Sequence, residues 1–203
     1  MSGTRKALLA LLVLPLTGAL LGGTAAGAQA AAGPGPVACR GQGVDPAAQV
    51  RYRAQILIHA PLHTVWQVQT DVAHWPSWQR PVTSAVRLDR GPLRPGSAFR
   101  WTTPIPPGVG LPAGDLVITS TVRQLVHDSC LRWTGPADSP GLHIDGVHVW
   151  NFRKVDGGVL VTTEETHTGP QVDADVPAAT AILGQGLDAW LAALKSTAEA
   201  RRP

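Results

Sequence analysis

The hydrophobic pattern of the chain changes character several times. Ala7 to Leu21 is an apolar run without a charge. From Tyr52 to His59 (Y-R-A-Q-I-L-I-H) apolar and polar residues partly alternate, the period of a half-buried strand. Ala60-Pro61 ends that strand, and Pro61 suits the first turn of a helix, where its missing N–H costs nothing. Leu62, Val65, Trp66, Gln69, Val72 and Ala73 then recur at helical spacing, until the bend His74-Trp75-Pro76-Ser77-Trp78. Short alternating runs follow at Thr83 to Leu88, Ser97 to Thr103, Asp115 to Leu125, Cys130 to Thr134, Leu142 to Lys154 and Val159 to Thr168. Gly-, Pro- and Asp-containing turns separate them, including Gly135-Pro136 and the hairpin signal Asp156-Gly157-Gly158. The helical period returns from about Pro177 to Ala200, with Ile182, Leu183, Leu187, Trp190, Leu191 and Leu194 on one face. Gly184 and Gly186 weaken this helix by about 1 kcal/mol each, which suits a helix that approaches another element closely or leaves space beneath it.

This order predicts an α+β fold: a curved antiparallel sheet of about seven strands around a long C-terminal helix, with a short helical segment after strand 1. The sheet must bury its apolar face, and the C-terminal helix is the only large partner. A curved sheet around a single helix is hard to fill solid, so a cavity is expected between them.

The apolar run changes where this domain is expected to work. Arg5 and Lys6, the leucine-rich run and Ala28-Gln29-Ala30 have the three parts of a secretory signal peptide, cleaved near Ala30 or Ala32. The run is about 15 residues and is broken by Pro15 and Gly18, short of a membrane span. The expected organisation is signal peptide 1–30, flexible arm 31–49 and folded domain 50–200, secreted, with no stable membrane span after cleavage. Cleavage takes away Arg5 and Lys6 and no acid, lowering the formal charge of +3 by two. With no Lys/Arg run, nucleic acid is not an expected partner. In an oxidising compartment Cys39 and Cys130 pair most simply as one disulfide. Closing a loop of that length stabilises by about 4 to 5 kcal/mol in the chain-entropy model.

The element order and several local signatures resemble the START-like helix-grip (SRPBCC) superfamily, in its polyketide cyclase/dehydrase-like branch. The residues carrying the resemblance are His59-Ala60-Pro61, Val65-Trp66, Asp71, Trp75-Pro76-Ser77-Trp78, Phe99-Arg100-Trp101 and Leu131-Arg132-Trp133-Thr134-Gly135. Val147-His148-Val149-Trp150-Asn151-Phe152, Gly157-Gly158-Val159 and Thr163-Glu164-Glu165 continue it. The resemblance covers roughly residues 50–200 and implies a pocket for a lipid, polyketide or similar ligand. It carries no shared catalytic residues.

Seven tryptophans against one tyrosine and two phenylalanines are the loudest compositional feature. Indoles suit the wall of an apolar pocket as well as a core. Trp66 and Trp190 lie on helical stripes and are assigned to the core, while Trp101, Trp133, Trp150 and Phe152 are on strands able to face a cavity. Leu183 and Leu187 would cover it. In Pro104 to Gly114, Ile105, Val109 and Leu111 are apolar on a loop, read either as a lid or as a packed connection. Alternation puts His148, Trp150 and Phe152 on one face of a strand, and Val161, Thr163, Glu165 and His167 on one face of the next. His148, Glu165 and His167 are therefore either polar groups inside the pocket, able to transfer protons, or ordinary surface and hydrogen-bonded side chains. His143-x-Asp145-x-x-His148 is not a metal site, because a strand does not point all three the same way, and Gly146 reads as a bend. Gly108-x-Gly110-x-x-Ala113 lacks the strand that a dinucleotide fingerprint needs, and no Gly-x-Ser-x-Gly elbow occurs. No metal and no cofactor are expected. Two functions remain open: binding a small hydrophobic ligand, or a cyclase/dehydratase-like reaction using pocket His and Glu.

Overall fold

The computed structural model describes residues 35–105 and 113–201. The expected signal peptide, Val109 and Leu111 lie outside them. Strands β1 (Val50–Ile58), β2 (Ser84–Arg87), β3 (Ala98–Pro104), β4 (Asp115–Val126), β5 (Cys130–Ser139), β6 (Leu142–Val155) and β7 (Gly158–Thr168) form one antiparallel sheet. Their spatial order is β1-β7-β6-β5-β4-β3-β2, so each later strand lies beside the one before it, and β1 closes against β7. Helix α1 (Leu62–Thr70) follows β1, and a 3-10 turn over Val72–Ser77 follows α1. A short α2 (Pro170–Asp173) precedes α3 (Val176–Ala200), which the Asp175 carboxylate caps by accepting from the Ala178 N–H. This is the expected α+β helix-grip fold.

Helix α3 grips the concave face. The Tyr52 hydroxyl donates to Asp188 at 2.9 Å, Lys195 donates to the Leu57 carbonyl at 2.8 Å, and Glu199 accepts the His59 N–H at 2.7 Å. Gly184 explains itself here: a Cβ on it would stand 2.7 Å from the Tyr52 ring, so only glycine admits this contact. A Cβ at Gly186 would meet nothing within 4 Å, and the close-approach reason does not extend to it.

Two local expectations are corrected. Gly135-Pro136 is not a turn: β5 runs through it to Ser139. The β4–β5 pairing skips from Ile118–Ala137 to Thr121–Thr134, so Pro136, with no N–H to give, sits where the ladder is interrupted. Gly135 is needed there, since a Cβ would lie 2.0 Å from the Thr119 carbonyl oxygen. Gly146 is not a bend either; it stays in β6, paired with Gly135 on one side and His167 on the other.

Residues 35–49, which composition reads as a flexible arm, lie against the sheet. Cys39 is bonded to Cys130, with 5.4 Å between their Cα atoms. Val37, Cys39, Cys130 and Val149 make a small apolar cluster. Asn151 holds Ala38 from both sides, accepting from its N–H and donating to its carbonyl at 2.8 Å, and Arg132 donates to the Gly43 carbonyl at 2.8 Å. Val149 and Asn151 alternate with His148 and Trp150, so the arm covers the convex face. Replacing both cysteines (Cys39→Ser with Cys130→Ser) is expected to lower stability by about 4 kcal/mol in urea unfolding and to speed amide exchange over residues 37–45. An unchanged midpoint would mean that the arm is held by its other contacts.

Candidate functional site

The concave face divides into two unlike halves. Toward α1 it is filled by rings around Trp75, a residue of the 3-10 turn that is fully buried. Phe99, Trp101, Trp133 and Trp190 surround it, with ring centroids 5.4, 5.9, 6.1 and 4.9 Å away. The Trp75 N–H donates to the Gln69 carbonyl at 2.9 Å, and the Trp190 N–H to the Gln69 side chain at 3.0 Å. Trp150 and Phe152 belong to this half, Phe152 lying edge-on to Trp66 at 5.3 Å.

The other half is built from small and polar residues. Register places Trp133, His148, Glu165 and Tyr52 in one row across β5, β6, β7 and β1. The neighbouring row holds Gly135, Gly146, His167 and Val50. Apolar residues here form two separate groups, Ile118, Ala137, Leu142 and Ile144 on the strands, and Val50 with Leu183 and Leu187 under α3. Among the described residues, Val172 alone packs against both. Trp133 and Trp101 stand at the border between the halves.

His148, Glu165 and His167 converge in this second half. His148 Nδ1 faces Glu165 Oε2 at 3.2 Å, and His167 Nε2 faces Glu165 Oε1 at 3.4 Å. The other ring nitrogen of His148 meets the buried Thr163 hydroxyl at 2.7 Å, and the ring lies edge-on to Trp133 at 4.8 Å. Burial pushes the His148 imidazole down to about 4, against which the nearby Glu165 charge pulls only part of the way back. Burial also works to raise the Glu165 carboxyl, but His148 and His167 outweigh it and hold Glu165 below the ordinary carboxylate range. His148 is therefore neutral beside an ionised carboxylate. A neutral imidazole has one N–H, and a bare Nδ1 would set a lone pair against negative charge, so the proton sits on Nδ1. With Nδ1 protonated, Nε2 is the acceptor at 2.7 Å for the one Thr163 hydroxyl proton, for which the Val149 carbonyl at 3.1 Å competes. Both His148 nitrogens are used, which leaves Glu165 and His167 as the more accessible polar groups, 17% and 23% exposed.

Not every sequence candidate enters this site. Trp133, His148, Glu165 and His167 come together here; Leu183 and Leu187 pack on Val50 and Tyr52 at the edge of the same face; Trp150 and Phe152 lie in the aromatic half; Ile105 is half-buried in the loop after β3. His143 and Asp145 are on the opposite face from His148, with His143 held by Asp138 at 2.6 Å. Thr163 and the glycine floor were the missed parts. Alternation puts Thr163 on the Glu165 face; the register sets it opposite Trp150, and only the side-chain contact shows it against His148.

The model of the polyketide cyclase / dehydrase and lipid transport family matches residues 49–199. The chain belongs to this family. No curated protein matches it. Solved structures share its fold: the Thermus thermophilus protein TTHA0849, at 17% identity and TM-score 0.60, covers 74% of this chain and 97% of its own. A START superfamily protein from Mycobacterium smegmatis is 13% identical, with TM-score 0.56 over 74% of this chain and 97% of that one. StfQ, the di-domain ARO/CYC of the steffimycin biosynthetic pathway, is 16% identical with TM-score 0.58, over 75% of this chain and 52% of its own.

Because His148 is neutral when folded and readily protonated when unfolded, stability is full above about pH 6.5 and falls as pH drops toward 4. Glu165, with its lowered pKa, acts in the same direction. Urea unfolding at about pH 7 and about pH 4.5 should differ by about 2 to 3 kcal/mol more in the native chain than in His148→Gln. Equal pH dependence in the two would remove the buried neutral imidazole from this description.

Proposed function

We propose that this family member binds a small, largely hydrophobic molecule in the second half of the concave face, and that it does so outside the cell. The observation carrying this reading is the polar cluster Glu165–His167 beside Gly146, in the same rows as Val50 and Tyr52, on which Leu183 and Leu187 pack. An apolar site with a few convergent polar groups is the usual form of a small-molecule pocket. A Cβ at Gly146 would find the Gly135 carbonyl oxygen at 3.4 Å, Glu165 Oε1 at 3.7 Å and His167 Cδ2 at 3.8 Å, so a single atom fits there in contact with all three. Glu165 accepts a ligand hydroxyl; His167 orients a hydroxyl or carbonyl. Trp150 Nε1, buried and without an acceptor among the described residues, is a further donor on the aromatic side. Export is supported by the signal-like leader and by the Cys39–Cys130 bond.

One observation favours a second reading, a cyclase- or dehydratase-like enzyme: the Glu165–His167 pair has the arrangement of a proton acceptor beside a proton donor. The two readings part on turnover, and the binding reading stands without it.

Native mass spectrometry with organic extraction, followed by tryptophan-fluorescence titration with fatty acids and aromatic polyketides, tests the proposal. A hydrophobic molecule is expected at one per chain. Glu165→Gln should weaken a hydroxyl-bearing ligand by about tenfold or more, and Gly146→Val should block the site while the fold melts cooperatively. No ligand across the panel, or full affinity in both variants, would place binding elsewhere or nowhere.

A further inference from the structure

A second cluster lies far from this site in sequence and, in the fold, beside an open groove of about 530 Å³ lined by Trp66, Gln67, Asp71, Arg87, Leu125 and Arg201. His63, from the first turn of α1, and His127, from the β4–β5 turn, also line it, and Asp128 follows His127 in that turn. One ligand-capable atom from each lies within 4.8 Å of the others. His127 Nδ1 is 3.1 Å from one Asp128 oxygen. The other, Asp128 Oδ1, is buried and has no hydrogen-bond partner among the described residues; His63 Nδ1, at 3.7 Å, is too far to donate. A carboxylate oxygen shut away from water without a donor is unfavourable, and a cation at this point would satisfy it.

The cluster is also held in place. The Ser129 N–H donates to the Val126 carbonyl at 3.0 Å and the Phe152 N–H to the Ser129 carbonyl at 2.7 Å, tying the turn to β6, and the disulfide-bonded Cys130 follows directly. Asp128 has φ of 56°, the left-handed region, and its two carboxylate oxygens face the two imidazoles, Oδ1 toward His63 and Oδ2 toward His127. The Trp66 ring supports His127 at 5.5 Å, and the two imidazoles lie 6.0 Å apart at an interplanar angle of 29°.

We propose that His63, His127 and Asp128 bind a late first-row divalent metal ion, of the Zn²⁺ class, with its remaining positions open to the groove. Two imidazoles and one carboxylate are the donor set such ions take, at about 2.0 to 2.2 Å. Exposed His63 needs only a side-chain rotation to close the set. The inference is independent of the ligand site under α3.

Calorimetric titration of the chelator-treated protein with ZnCl₂ tests it. One ion per chain is expected, with affinity reduced at least about tenfold by His63→Ala and by Asp128→Asn. Asparagine tolerates left-handed backbone, so Asp128→Asn should keep the apo melting temperature. His143→Ala, which dismantles the exposed His143–Asp138–Asp145 cluster, should leave uptake unchanged. Co²⁺ should give a visible absorption band that His63→Ala abolishes. Absence of saturable uptake, or loss of uptake in His143→Ala with none in Asp128→Asn, would overturn the site.

Discussion

An ionised carboxylate on the inner face of a sheet constrains everything near it. Glu165 is placed there by the period of β7, and it survives there because donors from its own row and the next row meet it. His148 meets the carboxylate through Nδ1 and the Thr163 hydroxyl through Nε2, and that hydroxyl also reaches the Val149 carbonyl, so carboxylate, imidazole and hydroxyl form one unit. Bulk is excluded from the adjoining row, where Gly135 and Gly146 face one another across β5 and β6. Charge, hydrogen bonding and small side chains are thus one local arrangement.

The rest of the molecule isolates that arrangement. On one side Trp75 gathers enough aromatic surface to fill half of the concave face, leaving Trp133 as the wall between packed core and polar site. On the convex side the arm and its disulfide cover β5 and β6, so the strands bearing Trp133 and His148 are supported from behind. Above, Tyr52 and Gly184 fix the approach of α3, which sets how far Leu183 and Leu187 stand from the floor.

Much of this was legible in the order of residues. Alternation alone put Thr163, Glu165 and His167 on one face and His148 on the matching face of β6, because strand parity is a local property. The fold followed from element order, and the cysteine pairing from number and the expected compartment. What escaped depended on contacts between distant positions. Trp75 looked like part of a bend, yet it is the hub of the core, since burial of a 3-10 turn is decided by what packs on it. Residues 35–49 have a linker's composition, and side-chain hydrogen bonds with a small apolar cluster hold them to the sheet. Gly146 reads as a bend in isolation and becomes a floor only when Gly135 and His167 are beside it. His63 and His127 carry no spacing signal at all, because α1 and the β4–β5 turn meet only in three dimensions.

The protonation of His148 bears most directly on the buried carboxylate unit. Long-range ¹H–¹⁵N NMR of the imidazole at about pH 6 should show a neutral ring protonated at Nδ1, with a bare Nε2 accepting from Thr163 and no titration until pH approaches about 4. An imidazolium pattern at that pH, or a proton on Nε2, would contradict the description of Glu165 as an ionised group held by a neutral histidine.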